Sequence, residues 1–142
     1  MRFWDSSAIV PLVCLEPTTP EALEWYQQDS QVLVWALTST EVLSALYRRF
    51  REGLLTSREL SDCSQHVQML REDWSEVEAL ELVKQRAERL LRVHPLRAAD
   101  ALQLGAALLA TQEQPQGINF VSFDQNLAAA AHKEGFAILP AE

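Results

Sequence analysis

The sequence predicts an α/β sandwich: a mainly parallel sheet flanked by helices, in a single domain of residues 1–142. Three observations lead there. Short apolar runs of strand length alternate with longer amphipathic segments from end to end. The length, 142 residues, suits one domain, and 48% hydrophobic residues suffice for a real core. No repeat, low-complexity stretch or linker interrupts the alternation. The longest apolar stretch, 8–15, falls far short of the ~20 residues of a membrane span and contains Pro11. No positively charged amino-terminal region leads into a long apolar one, so a cytoplasmic protein is expected. Cys14 and Cys63 lie in helical segments and read as two unpaired thiols rather than a disulfide framework. A net charge of −8 argues against coating nucleic acid by bulk charge. It leaves room for a local basic patch.

The elements follow in order. Arg2-Phe3-Trp4 is a short strand directly before an acid, and residues 6–15 form an apolar helix ending near Glu16. Pro17 and Pro20 bracket a loop, 21–28 is a short amphipathic helix, and the apolar run 32–35 is a strand. Thr38-Ser39-Thr40-Glu41 opens a helix whose apolar residues Val42, Leu43, Leu46, Tyr47 and Phe50 keep helical spacing until Gly53. A helix over 57–73 and an edge strand over 75–78 follow. The helix at 80–93 is stopped by His94-Pro95, and 96–110 is an Ala-rich helix. After a polar loop come a strand at 118–123, a helix at 125–134 capped by Gly135, and a last strand at 136–139.

Four acids stand out by position. Asp5 ends the first strand and Asp124 ends the strand near 118–123. Ligands of open α/β sheets bind outside the carboxyl ends of strands, where strand order reverses, so these two are placed to share a site. Either could equally be an ordinary helix cap. Asp100 shares one helical face with Leu96, Leu104, Ala107 and Leu108, where a carboxylate is costly unless it is paired or binds a metal. An ion pair with Arg97, three residues earlier, is the structural alternative. Glu41 fits a capping box with Thr38, and that structural role is the stronger reading from sequence. Ser6 and Ser7 either cap the first helix or orient a carboxylate or water.

The conjunction says more than any member. Oxygen ligands without Cys or clustered His suit a hard cation, Mg²⁺ or Mn²⁺. Without one, crowded carboxylates would raise one another's pKa. A bound ion relieves that repulsion and stabilises charge on a phosphoryl oxygen.

At this point the residues resemble a family. Phe3-Trp4-Asp5-Ser6-Ser7-Ala8, Thr38-Ser39-Thr40-Glu41-Val42, the stretch Leu96-Arg97-Ala98-Ala99-Asp100-Ala101-Leu102-Gln103-Leu104, and Phe120-Val121-Ser122-Phe123-Asp124-Gln125-Asn126-Leu127 are similar to PIN-domain endoribonucleases. The type is the VapC toxin of bacterial toxin–antitoxin pairs, and the third stretch is the most specific. The resemblance implies a PIN-like α/β/α sandwich with sheet order 3-2-1-4-5. It implies a Mg²⁺-dependent phosphodiesterase site in which Asp5, Glu41, Asp100 and Asp124 are catalytic and Asp5, Asp100 and Asp124 bind the metal. Ser6 and Ser122 would support these carboxylates, Ser122 standing at the family's Thr/Ser position. It also implies an RNA substrate, a homodimer and a cognate antitoxin.

Arg48, Arg49, Arg51 and Arg97 are candidates for RNA or partner contact, with a solvated helix face as the alternative. His94 reads as a helix-end residue rather than a phosphate donor. Tyr47, Phe50, Leu54 and Leu55 beside the arginines compose an edge for the antitoxin, unless Phe50 and Leu54 fill the core. The homodimer would use another face, near 80–93. Rival functions fit less well. An Asp-nucleophile phosphohydrolase would want a second Asp where Ser7 stands. A receiver domain would want a lysine at a late strand end, whereas Lys84 and Lys133 sit in helices. A catalytically weak PIN-fold scaffold for RNA or protein remains the alternative.

Overall fold

A computed structural model describes residues 1–141; Glu142, the last residue of the expected domain, lies outside them. The chain runs β1 (Arg2–Trp4), α1 (Ser6–Val13), α2 (Thr19–Gln28), β2 (Val32–Trp35), α3 (Thr38–Arg51), α4 (Ser57–Asp73), β3 (Ser75–Val77) and α5 (Leu80–Val93). It then continues through α6 (Ala98–Ala110), β4 (Asn119–Val121), α7 (Gln125–Lys133) and β5 (Ala137–Leu139). All strand pairs are parallel, in the order β3-β2-β1-β4-β5. The chain steps outward from β1 to β3, then returns to lay β4 against β1's free edge. The carboxyl ends of β1 and β4 are therefore the switch point.

Strand periodicity splits the core in two. Trp4, Val32, Val34 and Val121 point to the layer of α1, α3 and α4, where they meet Ile9, Val42, Leu46 and Val67. Phe3, Leu33, Trp35 and Phe120 point the other way, to Val83, Leu90, Leu104 and Leu127 of α5, α6 and α7. Phe3 pairs with Phe120 in register and stacks on it at 5.3 Å. Both are fully buried, and each contributes about 1.5–3 kcal/mol. α5 and α6 approach closely at Gly105, where a Cβ would stand 3.1 Å from the Ala87 nitrogen and the Val83 oxygen. Gly53, at φ +77°, closes α3 as the Leu54 N–H reaches back to the Arg49 carbonyl.

Several predicted boundaries move. α1 ends at Val13, because Cys14 takes extended geometry and its carbonyl accepts the Thr19 hydroxyl. α2 starts at Thr19, with Pro20 in its first turn. α6 starts at Ala98 rather than 96, since the Leu96 N–H bonds the His94 carbonyl in a tight turn. β4 covers Asn119–Val121, half the predicted run. The capping box expected at Thr38 and Glu41 is absent. α3 is entered at Leu37, whose carbonyl accepts the Glu41 N–H, so Glu41 lies one position too far along to reach back. The capping box instead opens α4, between Thr56 and Glu59.

Candidate active site

Asp5 follows β1 directly and is 3% exposed. Its Oδ1 accepts the Ala8 N–H at 3.2 Å and the Ser7 hydroxyl at 2.6 Å. Its Oδ2 accepts the Ser122 hydroxyl at 2.9 Å. Asp5 is thus the cap of α1, and that role leaves its place in a site open. The hydroxyls also tie the strand ends together. Ser7 Oγ accepts the Phe123 N–H at 2.9 Å, and Ser122 Oγ accepts the Asp124 N–H at 3.0 Å. Asp124 in turn caps α7 through the Leu127 N–H, 3.0 Å from its Oδ1.

Glu41 reaches from the first turn of α3. Its Oε2 accepts the Ser6 hydroxyl and its Oε1 the Gln103 amide, each at 3.1 Å. Asp100, half-buried in the first turn of α6, is the fourth acid. No ion pair joins it to Arg97 among the described residues.

The electrostatics link all four. Burial pushes the Asp5 carboxyl up to about 7; hydrogen bonds from Ser7, Ser122 and Ala8 pull it down, and Asp124 adds to the rise. Burial likewise raises Asp100, and the charge of Asp124 raises it further, against Arg97. Glu41 is raised by burial and by Asp100, against the hydrogen bonds from Ser6 and Gln103. Repulsion therefore runs from Asp5 to Asp124, to Asp100, to Glu41. Among the described residues no group of three or more Asp, Glu, Cys or His side chains is placed so that it could hold a metal ion. The arrangement is an open row of oxygen donors.

Two grooves flank the row. One, about 410 Å³, is lined by Ser6, Ser7, Glu41, Ser44, Arg48 and Arg49. The other, about 430 Å³, is lined by Pro95, Arg97, Asp100, Asp124 and Asn126. Of the candidate arginines, Arg48 and Arg97 reach these grooves without an ion-pair partner among the described residues. Arg49 lines the first groove but is paired with Glu16. Arg51 is exposed and lines neither. His94 caps the end of α5, and its ring binds Glu134 at 2.6 Å, as a helix-end residue would. Gln103 has no expected role among the residues of the α6 motif. Its signal was there: an amide inside the otherwise apolar run of α6.

The PIN domain profile matches residues 2–133. Ribonuclease VapC45 and Ribonuclease VapC49, each from a strain of Mycobacterium tuberculosis, are 31% identical to this chain over 99% of its length and 95% of theirs. PAE2754 from Pyrobaculum aerophilum superposes with a TM-score of 0.65 at 19% identity, covering 98% of this chain and 89% of that one. FitAcB from Neisseria gonorrhoeae gives 0.66 at 15% identity, covering 97% and 96%. FitAB bound to an IR36 DNA fragment gives 0.63 at 12%, covering 98% and 94%. The chain belongs to the PIN-domain family, in the branch of its VapC ribonuclease relatives.

Proposed function

We propose that the chain is a divalent-metal-dependent endoribonuclease, the toxin of a toxin–antitoxin pair, acting as a single domain over 1–142. The observation that carries this reading is the continuous row of four carboxylates at the switch point, three of them raised by burial and mutual repulsion. The names of the VapC relatives support the ribonuclease activity.

The residues fit a hard cation. Their donors are all oxygen, and the row is short of positive charge. An open row suits Mg²⁺, which keeps several waters and takes one or two carboxylates plus substrate phosphate. Of Asp5, Asp100 and Asp124, one or two would hold Mg²⁺ or Mn²⁺ directly and the rest through its waters. Such an ion supplies Lewis acidity toward the phosphoryl group and a lowered pKa for water.

The chain's own residues do the rest. Asp5 accepts one hydrogen bond at Oδ2 and so keeps acceptor capacity there, while the Ser7 and Ser122 hydroxyls fix its plane. Glu41 keeps capacity at both oxygens, and its raised pKa suits taking a proton from the attacking water. Arg48 and Arg97 hold phosphates on either side of the carboxylates, which puts local positive charge on a chain of net −8. Ser44 and Asn126 line the same walls and offer hydrogen bonds to the strand.

Of the expected edge, Tyr47, Phe50 and Leu54 are exposed, which supports it as the antitoxin's docking surface, whereas Leu55 is half-buried and packs on the core. Leu80, Leu82, Leu91 and Val93 of α5 are exposed too and support a homodimer through that face. Among the described residues no helix is long and apolar enough to cross a membrane.

Purified protein incubated with mixed single-stranded and structured RNA tests the activity. Cleavage in Mg²⁺ or Mn²⁺ that stops with EDTA is expected. Equal cleavage in excess chelator removes the metal from the reading, and none under any condition leaves the binding scaffold.

A further inference from the structure

Gln103 is 1% exposed on the most buried stretch of α6, between Ala101 and Leu104. A carboxamide among such neighbours costs free energy unless its hydrogen bonds are made, and here they all converge on α3. One nitrogen, Nε2, donates to Thr38 Oγ1 and to Glu41 Oε1, each at 3.1 Å. Thr38 is itself fully buried, and its hydroxyl lies 3.5 Å from Gln103 Oε1. Both amide protons are thereby used. Turning the amide over would set its carbonyl against the Glu41 carboxylate, so only one orientation is favourable.

Glu41 is held at both ends of its carboxylate by different elements: Ser6 of α1 on Oε2, Gln103 of α6 on Oε1. Two anchors on two oxygens fix the plane of the group as well as its place. Met at this position would keep the shape but leave the buried Thr38 hydroxyl and Glu41 Oε1 without the amide.

We propose that Gln103 is a positioning residue: its buried carboxamide sets the orientation of Glu41 for cleavage and acts through no other group of the site. This rests on the nuclease reading above, specifically on Glu41 taking part. The test compares Gln103→Met, Glu41→Gln and the double variant on one RNA substrate, together with NMR of the Gln103 side-chain amide, identified by its loss in Gln103→Met.

Gln103→Met should lower kcat by about tenfold to a hundredfold, the effect of a small misplacement of a reacting group, with KM within about twofold. In the Glu41→Gln background the same change should have no further effect, because its route is gone. The Gln103 amide signals should move in Glu41→Gln protein without metal or RNA. If Gln103→Met does not fold, Thr38→Val serves instead, since it leaves the amide and removes the hydroxyl that holds it. It should give a smaller loss of kcat that also vanishes with Glu41→Gln.

Wild-type kcat in Gln103→Met while Glu41→Gln is impaired overturns the inference and spares the nuclease reading. So does a loss that persists in full on the Glu41→Gln background, or an amide signal indifferent to that change. Full activity of Glu41→Gln removes Glu41 and with it this inference, leaving Asp5, Asp100 and Asp124. Absence of cleavage by the wild type overturns the nuclease reading itself, and the inference falls with it.

Discussion

Asp5 and Asp100 carry the same charge in the same site and are held in opposite ways. Asp5 is closed in: 3% exposed, with three donors on its two oxygens and two serines that also bind the ends of the sheet. Asp100 is half-buried on the wall of a groove and receives no side-chain donor among the described residues. The closed carboxylate is part of the frame, since removing it disturbs the β1–α1 junction and the β4 end together. The open one is free to take a ligand, since little else uses its oxygens. Glu41 lies between, tethered at both oxygens but facing a groove.

The largest expected effects break the comparison at either pole. Asp5→Asn and Asp100→Asn should each reduce cleavage by at least about 10²-fold, each removing a carboxylate from the proposed metal site. They should differ in stability. Asn at 100 relieves repulsion with Asp124 and should leave the melting temperature equal or higher. Asn at 5 turns an NH₂ toward Ser122 or Ser7 and should disturb that network. Cleavage assays and thermal melts on the same preparations separate the two. Asp100→Asn that keeps activity and loses stability would make Asp100 a structural partner of Arg97.

Stability against pH is the next test. The Asp5 carboxyl titrates near 7 when folded and near 3.8 when unfolded. Between those values the folded chain binds the extra proton. Stability is then greatest below the unfolded value and falls as pH rises to about 7, by roughly 4 kcal/mol at most. Glu41 and Asp100, also raised, push the same way. Glu134 opposes them: although its burial works the other way, bonds from His94 and Arg89 hold it below the usual range. In EDTA the melting temperature should fall from pH 5 to pH 8, and fall less in Asp5→Asn. A gap between wild type and variant that does not change with pH would show an ordinary Asp5.

The same contrast explains what could be read in advance. The strands were legible because short apolar runs alternate with amphipathic segments, and the resemblance supplied the strand order. Asp5 and Asp124 were legible because each follows a strand whose carboxyl end lies at the switch point, Asp5 directly and Asp124 after Ser122 and Phe123. The capping box expected from Thr38 to Glu41 fails because that pattern cannot reveal that the helix is capped one residue earlier, at Leu37. Nor could sequence show that Arg49 is taken by Glu16, 33 residues away and on another element. Pairings of that kind are made by tertiary approach, and no local pattern encodes them.

The arginines give smaller effects. Arg48→Ala and Arg97→Ala should each weaken binding of RNA to cleavage-deficient Asp100→Asn protein a few-fold and lower the salt dependence by about one ion each. Arg51→Ala should change neither, because its side chain lines neither groove. Equal effects at Arg51 and Arg48 would point to diffuse attraction rather than grooves.

The smallest effect on the chain alone is expected at the edge farthest in character from the carboxylates. Phe50 is 37% exposed and Leu54 67%, on the last turn of α3 and the bend after it. Apolar side chains in contact with water cost little to replace, so a Phe50→Glu, Leu54→Glu double variant should melt within a few degrees of wild type. Its RNA cleavage should be unchanged, since neither residue lines a site groove. In a mixed interface of aromatic and aliphatic groups beside arginines, two buried carboxylates would be severe. An antitoxin that protects RNA from the wild type should therefore no longer protect it from the variant. Protection retained in full moves the antitoxin to another face, and a variant that unfolds returns both side chains to the core.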